Sequence, residues 1–160
     1  MKKFMMIALI ALVGSFLAGN VIASDDAATK EECIAKCKEA ADMIAKDGLE
    51  AAVAEIGKKD GKFVWKDTYV FLMDLNGKML AHPMSPALTE KENLLGVPDK
   101  NTEKPKMIFE EFVNMAKSEK GEGWVDYLWP RPGEETPSLK ETYVFRVPGQ
   151  DVFTGAGIYK

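Results

Sequence analysis

One histidine serves the whole chain, and only two cysteines accompany it. That scarcity excludes much chemistry. A HExxH zinc helix needs two histidines, and no GxSxG elbow offers an activated serine. No nucleophile–base pair stands out, so the expectation is no enzyme, no cofactor and no metal centre. Cys33 and Cys37 in "EECIAKCKEA" are spaced as neither CxxC nor CxxCH, which excludes thioredoxin-like and haem-attachment motifs. Basic residues fall short of acidic ones, for a net charge of −4. Scattered charge of that sign leaves no basic patch for nucleic acid or anionic lipid. Beyond residue 23, no run is apolar enough to span a bilayer.

What is present begins with a leader. Lys2 and Lys3 precede an apolar run from Phe4 to Leu17, and Val21-Ile22-Ala23 supplies small-residue cleavage chemistry. This is the layout of a signal peptide, residues 1–23, and predicts a periplasmic or secreted mature chain, residues 24–160, that does not span the membrane. The alternative is an uncleaved anchor. With 46% apolar residues in the sequence, that length suits one domain with a substantial core.

Thr29 and Glu32 form a capping box ahead of a helix that runs to Lys46. Apolar positions recur at Cys33, Cys37, Ala40 and Ile44 with helical period. Two cysteines four apart on one helix face read as small core residues. A redox pair, a metal half-site or an inter-chain link are the functional alternatives, and a thiol-redox or protein-interaction module is the second functional reading. A short second helix holds Leu49 to Ile56, with Gly57 as its stop.

The period then changes from helical to alternating. Thr68 to Asp74 is a strand, Asn76-Gly77 is a strong hairpin signal, and Lys78 to His82 returns. "DLNGK" imitates the start of a calcium loop, but Lys78 stands where an oxygen ligand is needed. A long connection over residues 83–104 leads to a helix from about Pro105 to Ser118. Strands follow at Gly123 to Trp129, Lys140 to Val147 and Asp151 to Tyr159. Five strands joined by short turns predict an antiparallel sheet and an α+β fold.

Four ordered segments, "FVWKDTYVFLMDLNGKMLAHP", "GEGWVDYLWPRPGE", "LKETYVF" and "GAGIY", resemble the single-Cache type of the Cache superfamily, PAS-like extracytoplasmic sensor domains. The resemblance covers about residues 30–160. It implies a long N-terminal helix packed on one face of the sheet and a small-ligand pocket on the other. It implies a small organic acid as ligand, of the acetate, propionate, lactate or pyruvate class. It also implies a membrane receptor or kinase as the partner that reads occupancy. One departure is "ALTEKENLLG" in the loop after His82-Pro83. The chain is expected to lack its own output module.

A small carboxylate calls for a cation, directed donors and apolar walls. Lys140 is the cation candidate, placed at the opening of a strand, unless it is simply solvated. Tyr127 and Trp129 share a strand face by alternation and can donate from wet tips. Tyr143 is also a candidate, although alternation turns it away from Lys140 unless a bulge intervenes. Tyr69 is a weaker candidate, with Phe71 as a wall beside it. His82 ends the hairpin and is either a ligand donor or a structural bond into the turn at Pro83. Trp124, opposite Tyr127, reads as core against the N-terminal helix.

Overall fold

The computed structural model describes residues 26–160, so the expected signal peptide, residues 1–23, lies outside the described residues. The first helix, α1 (Lys30–Asp47), begins at the capping box: the Glu32 N–H donates to Thr29 Oγ1, and the Thr29 N–H donates to Glu32 Oε2. Gly48, at φ 91°, ends it by donating its N–H to the Ile44 carbonyl, a backbone conformation that favours glycine. A second helix, α2 (Leu49–Ile56), follows at once.

The sheet contains β1 (Val64–Trp65), β2 (Thr68–Asp74), β3 (Met79–Ala81), β4 (Glu122–Pro130), β5 (Pro137–Arg146) and β6 (Val152–Tyr159). Its order is β1-β2-β6-β5-β4, with β3 also paired to β2, and every pairing is antiparallel. The expected fold class holds, with six strands where the sequence suggested five. The added strand is β1, whose two residues pair Val64 with Tyr69 and Trp65 with Thr68. Two residues are too few to show alternation.

Alternation along the strands divides the apolar residues into two cores. On one face, Val70, Leu72, Val152 and Ala156 pack under Cys33, Cys37, Ala40 and Ile44 of α1. Cysteine and alanine are small, so the helix axis comes close enough for Thr154 Oγ1 to donate to the Cys37 carbonyl at 3.1 Å. On the other face, Phe71, Met73, Val144 and Phe153 pack under a further helix, α4 (Ile108–Lys117), which turns Ile108, Phe109, Phe112 and Val113 inward. A short helix, α3 (Ala87–Glu90), interrupts the long connection between β3 and α4.

Three local devices hold these layers. Asp74 Oδ1 accepts the N–H groups of Asn76 and Lys78, so the acid of the calcium-like stretch tightens the hairpin instead. Buried Asp99 accepts from the Lys106 N–H through Oδ1 and from the Leu128 N–H through Oδ2. The Lys100 N–H donates to the Leu128 carbonyl, and Lys106 Nζ to the Asp126 carbonyl. The loop is thereby stitched along the outer side of β4. That use of the Lys106 backbone is why α4 starts at Ile108 and not at Pro105, as the proline had suggested.

Candidate functional site

The α4 face of the sheet is unusually bare along β6. Gly155 and Gly157 point their missing side chains toward it. A Cβ on Gly155 would come within 2.3 Å of Phe71 Cζ, so the Phe71 ring lies flat on the glycine backbone. A Cβ on Gly157 would meet Thr142 Oγ1 at 2.4 Å, the Glu141 carbonyl at 2.5 Å and Lys140 Cε at 2.9 Å, so that glycine makes room for β5 and the lysine stem it carries. "GAGIY" thus has a physical content: two glycines let two large side chains on neighbouring strands lie down over the sheet.

Lys140 is not at a strand opening, as the sequence suggested. It sits inside β5, because the ladder extends to Pro137, and it pairs with Tyr127 on one side and Tyr159 on the other. Its relative exposure is 1%. The ammonium donates to Tyr159 Oη at 3.0 Å and lies 4.1 Å from the Tyr69 ring centroid and 4.5 Å from that of Tyr159. Tyr159 in turn donates to the Pro130 carbonyl at 2.9 Å. None of the ion pairs among the described residues includes Lys140. Burial lowers its pKa to about 7, against a smaller opposing influence of Cys33 and Asp67.

Beside this cation is a cavity. Its polar rim is Tyr69, His82, Tyr127 and Trp129, and its apolar walls include Phe71, Leu88, Ile108, Phe109 and Phe112. The centre of a water-sized sphere finds only about 10 Å³ within it. That is room for one water as the side chains stand. Lys140 is not in the wall; it touches Tyr69, which is. Tyr69, Leu88 and Trp129 also border an outer cleft, together with Lys100 and Arg131, so they separate the cavity from solvent.

A family model described as a Cache domain matches residues 32–160. The chain belongs to the Cache domain family. Methyl-accepting chemotaxis protein McpP of Pseudomonas putida is 31% identical over 94 residues, covering 58% of this chain and 16% of that protein. The chain therefore spans about a sixth of the length of that relative. The periplasmic sensor domain of a chemotaxis protein superposes with a TM-score of 0.61 at 27% identity, covering 81% of this chain and 88% of that one. A Cache chemosensory domain solved for its recognition of carboxylic acids superposes with a TM-score of 0.65 at 25% identity, covering 81% and 91%.

In this Cache domain, five of the six candidate residues gather on one face. Tyr69, His82, Tyr127 and Trp129 surround the cavity, and Lys140 stands behind Tyr69. Tyr143 does not join them. Regular pairing from Pro137 to Arg146, without a bulge, turns it to the α1 side, where it stacks beside Trp124 and donates to Glu122 Oε2. Trp124 is on the α1 side as well, with Lys30 Nζ 4.6 Å from its ring. Alternation was the sounder guide.

His82 fills the structural role weighed for it, and its ring also lines the cavity. Nδ1 accepts the Ser85 N–H at 2.9 Å, which fixes the turn after Pro83. An accepting Nδ1 places the ring proton on Nε2, which makes the imidazole a donor while its ring lines the cavity. Burial, and then the Lys140 charge, lower its pKa to about 3, so the ring is neutral. Tyr127 Oη bonds Thr142 Oγ1 at 2.9 Å, and burial raises its pKa well above the ordinary tyrosine value.

Sequence reasoning missed Tyr159, the hydrogen-bond partner of Lys140. Its alternation with Gly155 and Gly157 puts it on the cavity face, but its pairing with Lys140 depends on the register between β5 and β6. Of the three cavity residues of α4, Ile108 and Phe112 read only as part of an apolar helix face with Met115 and Ala116, and that pattern leaves Phe109 out. Cys33 and Cys37 are free thiols, both fully buried, and burial pushes Cys33 up to about 12 and Cys37 higher still. Such thiols are inert core residues.

Proposed function

We propose that this domain is an extracytoplasmic sensor that binds a small organic acid in the cavity between β2, β4 and α4. Acetate, propionate, lactate and pyruvate are the class it suits. One observation carries the reading: a lysine with 1% exposure whose ammonium has no carboxylate partner among the described residues. A buried charge is costly unless it is paired. Two tyrosine faces and one hydroxyl solvate it in part. A ligand carboxylate beside Tyr69 completes the set, with His82 Nε2–H as a neutral donor and the phenylalanines holding the carbon chain. The likeness to a Cache domain solved for carboxylic acid recognition supports the same class.

The wall favours a short monocarboxylate over a dicarboxylate. Its four polar lining residues are outnumbered by six apolar ones, and Tyr127 Oη is already bonded to Thr142, so a second carboxylate would find few free donors. Acetate has four heavy atoms, and at about −1.5 kcal/mol per atom the best affinity is tens of micromolar. Entry turns Trp129 and Leu88 aside and so widens a cavity that otherwise has room for one water, and occupancy is passed to a membrane receptor or kinase.

Calorimetric titration of the purified chain with acetate, propionate, lactate, pyruvate and succinate tests this. The expected result is binding of monocarboxylates, weakened about tenfold or more in Lys140→Met, the loss of a unit positive charge one aromatic ring away from the ligand. Absence of binding to every monocarboxylate at millimolar concentration overturns the reading.

A further inference from the structure

We propose that Phe71, seated on Gly155, sets the maximum length of carbon chain the cavity accepts. The inference rests on the carboxylate reading above and deepens it. The sheet's cavity face is built in rows. Tyr127, Lys140 and Tyr159 form the polar row. Two rows further along the strands, Gly123, Val144, Gly155 and Phe71 lie side by side. A ligand headed by its carboxylate toward Tyr69 and Lys140 therefore extends its carbons toward Phe71.

Phe71 is the wall residue in that direction that rests on bare backbone. Its ring has no Cβ beneath it at Gly155 and cannot sink further, since Cζ already lies where a side chain would be. From the side it is held by Phe112, 5.4 Å between centroids, and by the near-parallel His82 ring at 6.1 Å. A ring clamped on three sides is a fixed stop. Trp129 and Leu88, by contrast, border the outer cleft and can yield. The length limit is thus set at the closed end of the cavity.

The test is calorimetric titration of the purified chain with the straight-chain series from acetate to hexanoate. Each methylene that fits strengthens binding about fourfold, the equivalent of about 0.8 kcal/mol per buried CH₂. In the wild type the gain stops abruptly, with a loss of at least about tenfold at the first acid that meets the ring. Phe71→Ala opens a void over Gly155 and moves that limit out by roughly two or more carbons. Gly155→Ala drives the ring forward and moves the limit inward. Phe71→Leu, a smaller perturbation, gives an outward shift should the alanine variant unfold, with circular dichroism reporting the fold. An identical chain-length profile in folded Phe71 variants and wild type overturns the proposal while leaving carboxylate binding intact. A wild type that binds no member of the series overturns both.

Discussion

The Lys140 ammonium lies 4.1 Å from the centre of the Tyr69 ring, and the same ring lies 4.8 Å from that of His82. One aromatic side chain thus joins a buried cation to a buried neutral imidazole. The two groups titrate far from their ordinary values, and in the same direction.

Lys140 makes the unliganded domain more stable as the solution becomes more alkaline. Its folded pKa is about 7 against an ordinary 10.5. Between those values the unfolded chain holds a proton that the folded chain has released, so unfolding free energy rises with pH there. Below about pH 7 both states are charged and the penalty is constant. Urea unfolding from pH 6 to 10 shows this rise in the wild type and a flatter profile in Lys140→Met. The variant is at least as stable as wild type at pH 6, because an uncompensated buried charge has been removed. Carboxylate affinity follows the opposite course and weakens above about pH 7.

His82 gives the domain its acid sensitivity. The folded pKa is about 3 and the ordinary one 6.5, so between them only the unfolded state takes the proton. Stability falls as pH drops from 6.5 toward 3. His82→Ala removes that part of the slope. It also leaves the Ser85 N–H without its acceptor, at about 1–3 kcal/mol. Denaturant titrations at pH 4 and pH 7 separate the two effects.

Tyr143→Phe leaves carboxylate affinity within twofold of wild type, since the hydroxyl faces Glu122 on the α1 side. Its cost is stability, about 1 kcal/mol for the lost hydrogen bond. Paired calorimetric and denaturation measurements decide it. A tenfold loss of affinity would mean that the two sheet faces are coupled.

Cys33 and Cys37 react slowly with a thiol reagent such as Ellman's in the native protein and rapidly in denaturant. Both are fully buried and held protonated, whereas the reactive species is the thiolate. Rapid native labelling of either would revive a redox role.

Much of this was legible because strands alternate. The faces of Tyr69, Phe71, Tyr127 and Trp129 followed from position alone, and the same rule set Lys140 against Tyr143. The capping box and Asn76-Gly77 placed α1 and the hairpin through contacts a few residues apart. What escaped were relations between distant segments. That Tyr159 lies beside Lys140 depends on a ladder register that no local pattern encodes. That Phe109 and Phe112 close a cavity depends on where α4 docks. Asp99 carried no signal in the sequence, and its role exists only once β4 lies alongside.

The Asp99 stitching has a consequence for how the domain meets other proteins. An open sheet can recruit a foreign strand at either end. Here β1 offers two residues, and the middle of β4 has both Leu128 backbone groups and the Asp126 carbonyl already engaged by the loop. Strand addition at the middle of β4 is thereby blocked, and β1 and β3 are short templates of two and three residues. Main-chain pairing, which accepts almost any sequence, is thus disfavoured there, and side chains on the helices and loops, where charge and shape discriminate, are the surface left for another chain to read.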